Sequence, residues 1–140
     1  RSLLRYLLET LVPTTDRNGN RVEMTIGQLV EAATQRVQQP IAPDRAADTL
    51  RQRGIIADNG FSDGRAGIFV SNTHVQLRKL LGGTAWANNW REPLARLPRA
   101  EKTRSSYRFA GTASRAVFIP MNVVEGTDGD DDGGVADAAE

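Results

Sequence analysis

Residues 44–72 read DRAADTLRQR, GIIADN, GFSDGRAG and IFVSN in succession, and the change of hydrophobic period inside this stretch constrains the fold more than any other feature. Ala46 and Leu50 stand at helical spacing behind a capping Asp44, and Gly54 falls where a helix ends. The β-branched run GIIADN and the run GIFVSN then read as strands separated by turn residues, a hairpin with a long tip. A helix leading directly into a hairpin leaves few architectures open, and the chain upstream narrows them. SLLRYLLETLV carries Leu3, Leu4, Leu7, Leu8 and Leu11 at helical spacing before Pro13, which predicts a first helix. TDRNGNRVEM reads as a loop centred on Asn18-Gly19. Thr25 then caps a second helix, IGQLVEAATQRV, with Ile26, Leu29, Val30 and Ala33 on one face.

The order is helix, helix, helix, hairpin. Together with TLRQRGII at the helix-to-strand step, it resembles the winged helix-turn-helix fold over residues 3–72. The pattern returns downstream. THVQLRKLL places Val75, Leu77, Leu80 and Leu81 near one face, and Gly82-Gly83 stops it. Thr84 caps a turn containing Trp86, and Asn89 with Glu92 matches a capping box ahead of Trp90, Leu94 and Leu97. Trp90 is expected as a core anchor with Trp86 packed against it, and Pro93 falls awkwardly in the first turn. SYRFAGTASRAVFIPM then reads as strand, GTAS tip, strand. The expected fold class is α+β, mostly helical: tandem winged helix-turn-helix units at 1–72 and 73–124 with short hairpin wings, followed by a disordered acidic tail at 125–140.

Charge separates these segments. The chain has 140 residues, 18 basic and 17 acidic, for a formal net charge of +1. Seven of the acids lie in EGTDGDDDGGVADAAE, residues 125–140, which hold no base. Residues 1–72 hold nine bases and eight acids, whereas 73–124 hold nine bases and two acids, a surplus of seven. A block of that kind attracts an anionic partner, with nucleic acid foremost and an acidic protein segment as the alternative. Arg91, Arg96 and Arg99 fall on the expected recognition helix, Lys102 and Arg104 on the approach to the wing, and Arg108 and Arg115 on its strands. Guanidinium groups pair with phosphate oxygens, and such contacts position a protein on DNA without reading sequence. Arg45 and Arg51 on the third helix supply a second contact, offset by Asp44 and Asp48. Arg91, Asn88 and Asn89 are candidates for base edges.

Other chemistries find little purchase. Cysteine is absent and His74 is the single histidine, so no zinc site of ordinary composition is available and no metal is expected. Ser71 lies too close in sequence to His74 for triad geometry, and His74 is expected to cap a helix or lie at the surface. Gly82-Gly83-Thr84 lacks the lysine and spacing of a phosphate-binding loop. No catalytic residue and no cofactor are expected. Asp128, Asp130, Asp132 and Gly133 begin a calcium-loop pattern, but its twelfth position is Ala139, and disorder accounts for the segment better. Nothing resembles a membrane span or a signal peptide, and the lack of cysteine fits the cytoplasm.

The strings SNTH, GTAWANNW and RFAGTASRAVFIP resemble the terminal region of mobile-element and phage replication ATPases of the helicase or primase-helicase kind. The Arg1-Ser2 start and acidic end suit a piece of such a protein. The resemblance implies an ATPase domain upstream and a binding module here for duplex or forked DNA. A transcription regulator dimerising through its first helix remains open beside it.

Overall fold

The computed structural model describes residues 2–126. Ser2 Oγ accepts the Arg5 amide at 3.2 Å and caps α1 (Leu3–Glu9), which buries Leu3, Leu4, Leu7 and Leu8. The leucine spacing then misleads. Leu11–Thr15 is not the end of the helix but a strand, β1, paired antiparallel with β2 (Arg21–Thr25). Pro13 stands within β1 opposite Glu23, a place open to a residue without an N–H because the ribbon has only two strands and both are edges. Asn18-Gly19 does form the turn between them: Asp16 Oδ1 accepts the Asn18 and Asn20 amides at 2.9 and 2.8 Å.

Thr25 caps α2 (Ile26–Thr34) with the full reciprocal bond to Gln28. The third helix, α3 (Pro43–Gln52), begins one residue before Asp44, with Ala42 as its cap residue and Pro43 in the first position, where no amide is needed. Thr14 and Thr49 hydroxyls meet at 2.8 Å in the interior and tie β1 to α3. Gly54 ends α3 at φ +87°, and a Cβ there would lie 2.7 Å from the His74 Cβ, so both backbone and neighbour require glycine. The hairpin follows as expected, β3 (Ile55–Asp58) with β4 (Gly67–Ser71).

The second half does not repeat the first. After α4 (Val75–Leu80) and a one-turn α5 (Arg91–Ala95) come β5 (Glu101–Lys102), β6 (Tyr107–Phe109), β7 (Thr112–Ser114), β8 (Ala116–Pro120) and α6 (Met121–Val124). Strands β6 and β7 form a small ribbon that turns at Ala110-Gly111, with φ +48° and +93°, not over GTAS. β8 leaves that ribbon and inserts between β4 and β5, giving the sheet order β3-β4-β8-β5. Its register runs from Ser71↔Ala116 to Gly67↔Pro120. The physical reason is burial on both faces: Ala116, Val117, Phe118 and Ile119 are all buried, and a strand covered on both sides belongs in the middle of a sheet. Helices make up 33% and strands 26% of the described residues. The expected mostly helical pair of winged-helix units is therefore corrected. The strand that should have closed a second wing completes the sheet of the first hairpin.

A single core joins Leu7, Ile26, Leu29, Leu50, Ile55 and Ile68 to Leu77, Leu94 and Ile119, so residues 1–72 and 73–124 share both a sheet and an interior. Glu125, placed with the tail by composition, closes α6 through its amide and accepts Arg36 Nε at 2.6 Å. Residues 127–140, with the remaining acids and the calcium-like pattern, lie outside the described residues. No described helix is long and apolar enough to cross a membrane.

Candidate nucleic-acid interface

One end of the four-stranded sheet gathers cations. The chain leaves β4 at Asn72, whose amide donates to the Arg115 carbonyl at 3.0 Å. It leaves β5 at Thr103, whose amide donates to the Ala116 carbonyl at 2.8 Å and whose hydroxyl accepts the Ala116 amide at 3.0 Å. Arg104 and Arg115 flank these bonds, so the register of β8 with its two neighbours brings both to the same end of the sheet, and both are exposed.

Trp90 delivers α5 to that place. Its indole is 3% exposed and its Nε1–H donates to the Ser71 carbonyl at 2.7 Å. Arg91, the next residue, thereby comes beside Asn72. A cleft of about 290 Å³ opens here, lined by Asn72, Thr73, Arg78, Asn88, Asn89, Trp90 and Arg91. Arg78 places its guanidinium 5.7 Å from the centre of the Trp90 ring, a cation–π arrangement that orients it. Sequence reading passed over Arg78 because α4 was considered only for its apolar face, and nothing in the spacing of residues 78 and 90 announces their contact.

The β6–β7 ribbon adds to this end. Ser114 Oγ lies 2.6 Å from Ser71 Oγ, and Arg51 of α3 donates from Nη1 to the Arg108 carbonyl at 3.0 Å. Arg51 and Arg108 are thus neighbours although 57 residues apart. Glu92 is the carboxylate within the cluster. It accepts Lys102 Nζ at 3.1 Å and Arg91 Nη1 at 3.4 Å. The Lys102 hydrogen bond, with the charges of Lys102, Arg91 and Arg96, holds its carboxyl below the ordinary carboxylate range.

Other candidates lie elsewhere. Arg99, at φ +57°, lines a larger cleft of about 720 Å³ at the opposite end of the sheet with Arg65, Glu101 and Met121. There Arg65 is already engaged, 3.3 Å from Glu101 and 4.4 Å above the Phe118 ring. Arg45 faces a third cleft shared with Asp16, Asp44 and Asp48. Arg96 is exposed just past the end of α5, at the margin of the basic cluster and near enough for its charge to act on Glu92. That helix has five residues, too few to lie along a groove as a recognition helix, and Pro93 fits its first turn. Trp86 meets Tyr6 of α1, ring centres 5.7 Å apart, and packs against the core cluster to which Trp90 belongs. His74 is buried and caps α4, its Nδ1 accepting the Gln76 amide at 3.1 Å. Comparison of the chain with protein-family models, with curated proteins and with solved structures finds no match.

Proposed function

We propose that this chain binds DNA by holding its phosphate backbone against the basic end of the four-stranded sheet. The observation that carries the reading is convergence: strand ends, α4, α5 and the small ribbon bring Arg78, Arg91, Lys102, Arg104, Arg108 and Arg115 round one end, with Glu92 as the intervening carboxylate. Cations held together in this way repel one another, and phosphates relieve that repulsion while shedding their own counterions. Because α5 is one turn long, contacts fall on the backbone and tolerate many sequences. The likeness of SNTH, GTAWANNW and RFAGTASRAVFIP to replication ATPases supports a place for this module beside such a motor, whose domain would lie upstream.

Labelled duplex and forked DNA, titrated with the chain and followed by fluorescence anisotropy, test the proposal. Arg104→Ala and Arg115→Ala should each weaken binding and lower the salt slope by about 1. Arg45→Ala and Arg99→Ala should leave both unchanged. Equal losses from all four would misplace the interface, and tighter binding of an acidic peptide than of DNA at the same salt would make it a protein-docking surface.

A further inference from the structure

The larger cleft, at the end of the sheet away from the cation cluster, combines apolar and cationic walls. Its volume of about 720 Å³ lies within the roughly 300–1,000 Å³ of sites that take ligands. The partly exposed Ala66, Ala100 and Pro120 face it together with the exposed Arg65 and Arg99. Arg65 rests over the buried Phe118 ring at 4.4 Å, which fixes where its charge lies. Its carboxylate partner holds it loosely. The Arg65–Glu101 contacts are 3.3 and 3.4 Å, between side chains 50% and 60% exposed. A close ion pair is shorter, about 2.7–2.9 Å, and an exposed pair of this kind adds little stability, so a better-placed carboxylate can take Arg65 from Glu101. Arg99 stands at φ +57°, a left-handed backbone that glycine adopts without strain, and the chain keeps a guanidinium there at a conformational cost.

The β3–β4 loop, which supplies Gly64, Arg65 and Ala66 to this cleft, also presents Phe61, 87% exposed. Its backbone is held in place. Asp58 Oδ1 accepts the Gly60 amide at 2.8 Å, Asn59 Oδ1 the Phe61 amide at 2.9 Å and Asp63 Oδ1 the Arg65 amide at 3.0 Å. The Gly60 carbonyl accepts the Gly64 amide at 2.7 Å. A loop already ordered loses little entropy on contact, and aromatic side chains concentrate at the centres of protein interfaces. A small molecule in the cleft would leave Phe61 in water, whereas a peptide crossing the cleft also covers the loop. We infer that this end of the sheet docks an acidic segment of a partner protein, with carboxylates on Arg65 and Arg99 and apolar side chains on Phe61 and Pro120. A phosphate backbone has no apolar side chain to match these, so the site is separate from the DNA-binding reading and stands without it.

The test titrates a short labelled peptide alternating aspartate with leucine into the full chain and follows fluorescence anisotropy. Two peptides of the same length serve as comparisons, one of aspartate and serine and one of serine and leucine. The aspartate–leucine peptide should saturate and bind roughly tenfold tighter than either, since each comparison lacks one class of contact. Phe61→Ser and Arg99→Gly should each weaken it by about tenfold. Both variants should still melt cooperatively, because Phe61 is exposed and the Arg99 backbone suits glycine. Forked DNA should not displace the peptide. Failure to saturate, equal binding of the aspartate–serine peptide, or unchanged affinity in both variants would overturn the inference. So would a peptide displaced by DNA and lost in Arg104→Ala and Arg115→Ala, which would belong to the basic end. Binding seen only after truncation after Gly126 would give the cleft to the chain's own acids and overturn the assignment to a partner.

Discussion

Trp90 fills the core with its ring and satisfies the Ser71 carbonyl with its N–H, so the end of β4 and the start of α5 are fixed by one side chain. Trp90→Ala should destabilise the chain by about 3–5 kcal/mol, measured by chemical denaturation, and Trp86→Ala, at a half-buried ring, by less. Arg104→Ala should stay within about 0.5 kcal/mol of the unaltered chain because the residue is exposed and away from any special feature. A Trp90→Ala variant that folds with full stability but loses DNA would make the indole a contact residue. Glu92 works in the opposite sense. Glu92→Gln should tighten DNA binding and steepen its salt dependence, since Lys102 and Arg91 lose their internal partner. With the carboxyl held below its ordinary range by Lys102, the pair's support of folding is complete above the unfolded carboxylate pKa. It is lost as pH falls through the lowered folded value. DNA affinity should rise over that same fall, and a flat profile across it would separate Glu92 from the interface.

At the scale of elements, local chemistry was legible and partner choice was not. Thr25 as a cap, Asn18-Gly19 as a turn, Gly54 as a helix end and the β3–β4 hairpin follow from side-chain and backbone preferences that act within a few residues. β1 was hidden because Leu11 continues the spacing of Leu3, Leu4, Leu7 and Leu8, yet it is 56% exposed and begins a strand. The fate of AVFIP depended on pairing with residues 45 and more positions earlier, and alternation within a strand carries no information on which neighbour it takes. The same register decides the site. It joins Arg104 to Arg115 and sends Arg99 to the far end, a division that helix spacing did not foretell. Since β4 loses its partner β8 when the chain is cut after Asn72, residues 2–72 alone should show no cooperative thermal transition. A sharp transition from that fragment would mean the first hairpin and its helices form an independent unit.

Across the whole molecule, charge is divided between a basic sheet end and a run of acids beyond the described residues. Truncation after Gly126 keeps the Arg36–Glu125 pair and removes six acids. Tethered at high effective concentration, those acids compete with DNA. Truncation should therefore tighten binding at low salt, change little at high salt and leave the melting temperature unaltered. Equal affinity of the two forms at every salt concentration would assign the acids no part in binding. The central claim, that the sheet end holds phosphates, is tested most directly by the salt dependence of forked-DNA affinity in this truncated chain and in its Arg91→Ala, Arg104→Ala, Arg115→Ala triple variant. The logarithm of the association constant should fall linearly with the logarithm of salt concentration, with a slope of roughly −0.9 per phosphate held, and the triple variant should have a slope shallower by about 3. Identical slopes for the two proteins, or a response flat in salt, would contradict it.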